Sequence, residues 1–368
     1  MKEMKRRQWD VIAVSPLGVY AEKLKEEGLR FVPLRMDRKG KNPLKDAWLI
    51  WKLFEIYRSE QPALIHHFTI KPVIYGTLAS RLAGGIPVVN AITGLGYAFI
   101  NRGVLNKVVK YLYRISLKKS QAVIFQNAED RSYFINKSLI GEDKAHLIMG
   151  SGVDTDKFSP LENGEKKLTS NEAKTVFLMA SRMLWDKGVK EFVEASLKVK
   201  KQFPDALFWL AGGIDKGNPS MVSEEWLQKV TVGKNVKWWG HVDIKPLLEK
   251  ADVIVLPSYR EGLPKGLLEG ASMEKPLITT DTPGCRDAVS DGETGLLVPV
   301  KDVEKLAEAM VWMVEHPGER AAMGKKGRER VLKYFSDEVA ITRTIDVYRN
   351  LGIMEDYQAT NHLGSGLL

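Results

Sequence analysis

Four side chains in the second half of the chain have the types and spacing to handle a phosphorylated sugar. Glu261 and Glu269 are eight positions apart, and Arg182 and Lys187 are five apart. An ionised carboxylate accepts two hydroxyl hydrogen bonds at once, which fits the diol of a ribose or a hexose. Glu261 stands in Pro257-Ser-Tyr-Arg-Glu-Gly-Leu-Pro264, directly after the apolar run Val253–Leu256. Pro264 marks the first turn of a helix, so Glu261 sits beside a helix N-terminus and Glu269 on the helix itself. Such a terminus offers unpaired N–H groups and positive potential to a diphosphate, and Gly262 and Gly266 let backbone approach it. Arg182 and Lys187 lie in Ser181-Arg-Met-Leu-Trp-Asp-Lys-Gly188, between a strand and a helix. Two cations there can neutralise the charge that grows on a leaving diphosphate. Spacing by itself leaves the plainer alternative open, because helix glutamates and loop cations are most often solvated.

The elements that must position these groups alternate along the chain. In the first half, strands are expected at Trp9–Val14, Leu29–Leu34, Ala63–His67, Pro87–Ile92 and Gln121–Gln126. Helices are expected at Leu17–Glu27, Asn42–Ser59, around Ile74–Ala83 and at Val104–Lys118. The polar run through Glu162-Asn-Gly-Glu and Ser170-Asn-Glu reads as a linker. A second series follows, with strands at Val176–Ser181, Ala206–Gly212, Val236–Trp239, Val253–Leu256, Pro276–Thr280 and Gly295–Val298, and helices between and after them. Two strand/helix series predict two doubly wound parallel sheets.

Length and composition agree. The 368 residues suffice for two full cores, and 44% hydrophobic with 27% charged is ordinary globular usage. The single cysteine, Cys285, excludes an internal disulfide and reads as a small packed residue. No Cys/His cluster has metal-ligand spacing, and no run of about 18 apolar residues could span a bilayer. No leader pattern is visible at Met1–Asp10, so the expected location is cytoplasmic. Residues 1–160 hold 26 Lys+Arg against 15 Asp+Glu, and the remainder 29 against 31. The basic first half therefore expects an anionic partner. Lys107, Lys110, Arg114 and Lys118 share one helix face, which suits an anionic lipid surface or plain solvent exposure. No nucleic-acid recognition motif accompanies them. Gly94-Leu-Gly96 lacks the rest of a dinucleotide fingerprint, which argues against a nicotinamide enzyme.

From Pro257 to Val300 the string PSYREGLPKGLLEGASMEKPLITTDTPGCRDAVSDGETGLLVPV resembles the retaining glycosyltransferases of family 4, whose E-x7-E motif lies in this context. The likeness extends over about residues 8–350. It implies an α/β protein of GT-B architecture, two doubly wound Rossmann-like domains facing across a cleft. Residues 1–158 would form the acceptor domain, 159–335 the nucleotide-sugar domain, 336–350 a crossover helix back to the first domain, and 351–368 a tail. By resemblance Arg182 and Lys187 hold the donor diphosphate, Glu261 the donor sugar and Glu269 the ribose. Gly212, Gly213 and His241 border the base slot, and Gly262, Leu263 and Gly284 line the donor site. His241 is equally readable as an incidental loop histidine. No metal and no cofactor are implied beyond the nucleotide sugar as substrate.

In the first half, His66-His-Phe-Thr-Ile-Lys71-Pro and Ile92-Thr-Gly-Leu-Gly-Tyr follow strand ends. Together they resemble the subgroup that builds capsule, O-antigen and lipid-linked oligosaccharides. His66, Lys71, Thr93, Gly94 and Gly96 are the acceptor or cleft candidates, His66 and Lys71 with a structural role as the alternative. Many relatives carry histidine where Phe68 and Thr93 stand here, so no catalytic histidine is assigned. The family's first strand has no counterpart, since Met1–Gln8 resembles the end of the helix that follows it. A late start or a truncation is expected, leaving two strand edges uncovered, with a family member that closes its sheet differently or borrows a strand as the alternative. The implied activity moves a hexose or N-acetylhexosamine from a UDP-linked donor to an undecaprenyl-diphosphate-linked sugar at the inner membrane face. Two alternatives stand beside it: a non-catalytic nucleotide- or partner-binding remnant, and a nucleotide-sugar epimerase of the same fold.

Overall fold

The computed structural model describes residues 1–36, 42–95, 104–161, 174–232 and 236–353. The predicted linker core, the end of the tail and Gly96 lie outside the described residues. In the first unit, helix α1 (Lys2–Arg6) leads into β1 (Ile12–Ser15), followed by α2 (Val19–Glu26) and β2 (Arg30–Pro33). Helix α3 (Pro43–Glu60) is capped by Asn42, whose side chain accepts from the Leu44 N–H at 2.9 Å. Next come β3 (Ile65–Phe68), a π-turn at Pro72–Gly76, α4 (Thr77–Leu82), β4 (Val88–Ile92), α5 (Val104–Leu117) and β5 (Ala122–Phe125). Helix α6 (Ala128–Asn136) and β6 (Ala145–Leu147) are additions that the sequence reading passed over. Both are short, and only Phe134 and Asp130 of α6 are buried, so its apolar face is too narrow to show as a period.

The second unit runs β7 (Val176–Ala180), α7 (Val189–Gln202), β8 (Leu207–Ala211), α8 (Glu224–Val232), β9 (Lys237–Trp238), α9 (Lys245–Lys250) and β10 (Val253–Leu256). It continues with α10 (Lys265–Ser272), β11 (Leu277–Thr280), α11 (Cys285–Ala288), β12 (Gly295–Val298), α12 (Val303–Glu315) and α13 (Pro317–Tyr334). Its six strands form one parallel sheet in the order β12-β11-β10-β7-β8-β9. β7 is central, and Val176–Met179 are buried, as expected for a strand covered on both faces. Phe177 stacks on Phe208 across the β7–β8 pair, with ring centroids 5.2 Å apart.

The first unit differs. β3-β4-β5-β6 form one parallel sheet, and β1-β2 form a separate parallel pair. Between β1 and β3 lies a cavity of about 540 Å³. The last helix, α14 (Asp337–Asn350), returns to this unit. Its Ala340, Val347 and Tyr348 share a core with Val89, Ala122, Ile124 and Ile148, and Met4 of α1 packs on the same cluster.

Candidate active site

Two loops at the C-terminal edge of the second sheet build the charged centre. After β7 the chain makes a tight turn at Trp185–Lys187 and passes through Gly188 at φ +78. A side chain at Gly188 would collide with the Pro257 carbonyl, so the turn lies directly against the end of β10. The Tyr259 N–H and the Ser258 hydroxyl both donate to the Asp186 carbonyl, at 2.9 and 3.1 Å. This lacing brings Lys187 Nζ to 2.5 Å from Glu261 Oε1, with the side chains 16% and 13% exposed. Arg182 stands on the rim instead, 61% exposed and paired with Asp215 at 2.7 Å. The two cations of the sequence motif therefore occupy different environments.

Pro264 immediately precedes α10, and Glu269 is in the helix's second turn. Glu269 is half-buried. Burial pushes its carboxyl above the usual glutamate range, against the pull of Lys265 and Lys157. Gly266 lets α10 lie close to the end of β7, since an added Cβ would sit 3.0 Å from the Ala180 carbonyl.

Close backbone approach joins the loop after β10 to the first unit. An added Cβ on Gly94 (φ +122) would be 3.1 Å from the Gly262 nitrogen, and one on Gly262 would collide with the Thr93 carbonyl. Gly284 (φ +79) packs in turn on the carbonyls of Glu261 and Gly262. Thr93 and Gly94 thus face Glu261 across the junction. Polar contacts reinforce it. Asn127 Nδ2 donates to the Gly262 carbonyl at 2.9 Å, Arg260 pairs with Asp130, and Arg286 pairs with Glu129 at 3.2 Å. Asp130 is buried, which raises its carboxyl although Arg260 opposes the shift. These clamp residues were missed in the sequence. The available signal was Asn127, whose side chain caps α6 by accepting from the Asp130 N–H at 2.7 Å.

The remaining candidates are distributed around this centre. The Gly212 N–H donates to the Gly240 carbonyl at 2.8 Å, and the Met183 N–H donates to the Gly213 carbonyl at 3.0 Å. His241 is exposed beside Gly213. Leu263 is buried and packs on Gly150. Cys285 is buried, with its thiol pushed up chiefly by burial. His66 and Lys71 are engaged within the protein. His66 Nδ1 meets the Tyr348 hydroxyl of α14 at 2.5 Å, and its ring stacks on Phe68. Lys71 pairs with Asp46 at 2.6 Å, and Tyr75 donates to the same carboxylate at 2.8 Å. Both side chains thus have partners within the protein. Spacing could not show this, because Asp46 and Tyr348 are remote in sequence.

The family described as Glycosyl transferases group 1 matches residues 162–330, and that described as Glycosyl transferase 4-like matches residues 1–127. One relative is the N,N'-diacetylbacillosaminyl-diphospho-undecaprenol alpha-1,3-N-acetylgalactosaminyltransferase of Campylobacter jejuni. It is 31% identical over 352 residues, 92% of this chain and 91% of the relative. The UDP-Gal:alpha-D-GlcNAc-diphosphoundecaprenol alpha-1,3-galactosyltransferase of Escherichia coli is 26% identical over 311 residues, covering 83% and 80%. Among solved structures, Anabaena HepE in complex with UDP-glucose superposes with TM-score 0.79 at 18% identity, covering 96% of this chain and 93% of that one. With two facing α/β units, a charged loop pair at the junction and this kinship along most of its length, the chain belongs to the group 1 glycosyl transferases and has the GT-B fold.

Proposed function

We propose that the chain transfers a hexose or N-acetylhexosamine, with retention, from a UDP-sugar to a polyprenyl-diphosphate-linked sugar. The observation that carries this reading is the Lys187–Glu261 pair, held at the N-terminal side of α10 and facing Thr93–Gly94. The donor diphosphate lies along that helix terminus, where unpaired N–H groups point at it. Lys187 turns from Glu261 to the phosphate as charge develops, and Arg182 closes from the rim. These cations serve in place of a metal. Glu261, relieved of Lys187, accepts hydroxyl hydrogen bonds from the donor sugar, and Glu269 accepts those of the ribose. The leaving phosphate assists deprotonation of an acceptor hydroxyl on the same face of the sugar, so no pair of carboxylates at glycosidase spacing is required. The kinship to lipid-linked sugar transferases supports the acceptor class.

A lipid-linked acceptor calls for membrane proximity. Among the described residues no helix is long and apolar enough to cross a membrane. Helices α3 and α5 flank α4 on one side of the first unit. Leu44, Trp48 and Trp51 form an exposed stripe on α3, while α5 exposes Val108 and Tyr111 among Lys107, Arg114 and Lys118. Exposed aromatics with neighbouring cations suit the headgroup region of an anionic leaflet on the cytoplasmic side.

Calorimetric titration of UDP, with GDP and ADP as controls, tests the donor site. Selective UDP binding is expected, and binding of none by folded protein would overturn the reading. UDP-sugar turnover in the presence and absence of membrane lipid extract then separates transfer from epimerisation. The split first sheet favours the second reading, a nucleotide-binding remnant without turnover, which predicts UDP binding but no transfer to any lipid acceptor.

A further inference from the structure

The loop that carries Glu261 is gripped from the first unit on both sides of that residue. Helix α6 starts directly after β5, which is buried throughout and hydrogen-bonded between β4 and β6, so the sheet fixes where the helix begins. Asn127 and Asp130, at that beginning, are fully buried. The Asn127 amide oxygen accepts from the Asp130 N–H at 2.7 Å, and its Nδ2 donates to Asp130 Oδ2 at 3.1 Å. The same Nδ2 donates to the Gly262 carbonyl at 2.9 Å, and Asp130 Oδ1 accepts from Arg260 Nη2. Arg260 and Gly262 are the two chain neighbours of Glu261. The Glu261 N–H itself donates to the Pro283 carbonyl at 3.1 Å. The backbone from which the Glu261 side chain projects is thus tied at Arg260, Glu261 and Gly262, the outer two to the first unit. Exposure separates these ties from the contact next to them. The Arg286–Glu129 pair is 44% and 51% exposed and contributes little, because solvent screens it. The Asp130 carboxylate is 1% exposed and Arg260 24%, so breaking their pair leaves a largely buried charge unpaired.

We propose that Asn127 and Asp130 are positioning residues for sugar transfer: by holding Gly262 and Arg260 they set where the Glu261 carboxylate stands, so the first unit completes the sugar half of the donor site. The inference rests on the role of Glu261 toward the donor sugar given above. Arg182, Lys187 and Glu269, assigned to the diphosphate and the ribose, stand on the second unit. Binding of UDP therefore calls on that unit, whereas recognition of the attached sugar calls on both units docked together. A hydrogen bond to a sugar hydroxyl weakens steeply as its distance and angle depart from the preferred range. Loosening the backbone beside Glu261 therefore releases the sugar from its reactive placement while the nucleotide stays bound.

The test compares two affinities by calorimetry on the 368-residue chain: that for UDP, and that for UDP-galactose or UDP-N-acetylgalactosamine, whichever the unaltered protein binds more tightly. Their ratio isolates what the sugar adds. Asp130→Ala should leave UDP affinity within about twofold and lower the ratio by roughly 10-fold, as Glu261→Gln should. Asp130→Asn, which keeps an acceptor for Arg260, should restore part of the loss. Asn127→Ser keeps a helix cap and gives up the amide donor to Gly262, so it should lower the ratio several-fold. It carries the test if Asp130→Ala does not fold. Turnover with membrane lipid extract should fall in step with the ratio. A role in packing alone would lower the midpoint of denaturant unfolding and leave the ratio as it was. An unchanged ratio in the Asp130 and Asn127 variants, with the loss seen in Glu261→Gln, would overturn the positioning role and leave Glu261 at the sugar. An unchanged ratio in Glu261→Gln would overturn the role of Glu261 and this inference with it. Loss of UDP affinity alongside the ratio would mean that α6 holds the whole donor site, and would overturn the division between the units.

Discussion

The two sheets of this molecule are made from the same alternation of strands and helices, yet one is continuous and the other divided. In the second unit every residue of β10 and β11 is buried, and β7 is buried through Met179. In the first unit β4 and β5 are buried throughout, but only Ala13 of β1 and no residue of β2 is buried. A parallel strand reaches full burial only with neighbours on both edges and helices on both faces. The difference teaches that the charged loops of the second unit rest on a complete scaffold. The first unit depends on packing at its junctions: α14 on β4 and β5, and the Asp130–Arg260 and Asn127–Gly262 clamp to the loop after β10.

Several substitutions sharpen this contrast, beginning with the largest effect. Phe177→Ala removes a fully buried ring from the stack on Phe208 and should destabilise the second unit by about 3–5 kcal/mol. Denaturant unfolding followed by tryptophan fluorescence reads it, and a loss under about 1 kcal/mol would mean that this core is not the rigid half. Lys187→Ala should lower kcat by roughly 100- to 1,000-fold while UDP-sugar affinity falls far less, because the charge acts mainly on the departing diphosphate. Equal losses in both would reduce Lys187 to a binding group.

Glu269→Ala should weaken UDP binding by about 1–3 kcal/mol. With the native residue, affinity should fall on acidification from above the usual glutamate range, because burial raises this carboxyl and protonation removes an acceptor. A pH-independent Kd would remove Glu269 from the ribose.

Acid should act chiefly on the first unit. Burial lowers His66 to about 3 and His67 to about 4. Neutral His67 is held between the Tyr57 hydroxyl at 2.8 Å and the Asn90 amide oxygen at 2.9 Å. The unfolded chain binds protons near pH 6.5, before the folded one does. The stabilisation is therefore complete above that pH and lost as pH falls, toward about 4 for His67 and about 3 for His66, by about 1.4 kcal/mol per pH unit for each histidine. Exchange rates in β3 and β4 should rise over this window before those in β7 and β10; the reverse order would refute it. The smallest effect is expected at the cavity between β1 and β3. Val14→Ala, at a half-buried side chain of β1, should cost less than about 1 kcal/mol, against the larger loss at Phe177.

Much of the fold was legible in the residues. Apolar runs such as Val253–Leu256, capping residues such as Asn42 and the proline at the start of α10 are local signals, and strand and helix formation answers to local periodicity. The motif Ser181–Gly188 and the pair Glu261 and Glu269 were legible for the same reason: each lies within one loop–helix segment. What only the tertiary structure decided is which of these groups meet. That Lys187 reaches Glu261 while Arg182 turns to Asp215, that Lys71 is taken by Asp46 and His66 by Tyr348, and that Asp130 clamps Arg260 all follow from contacts between remote segments. Such contacts are selected by burial and charge pairing in three dimensions, which leave no period along the chain.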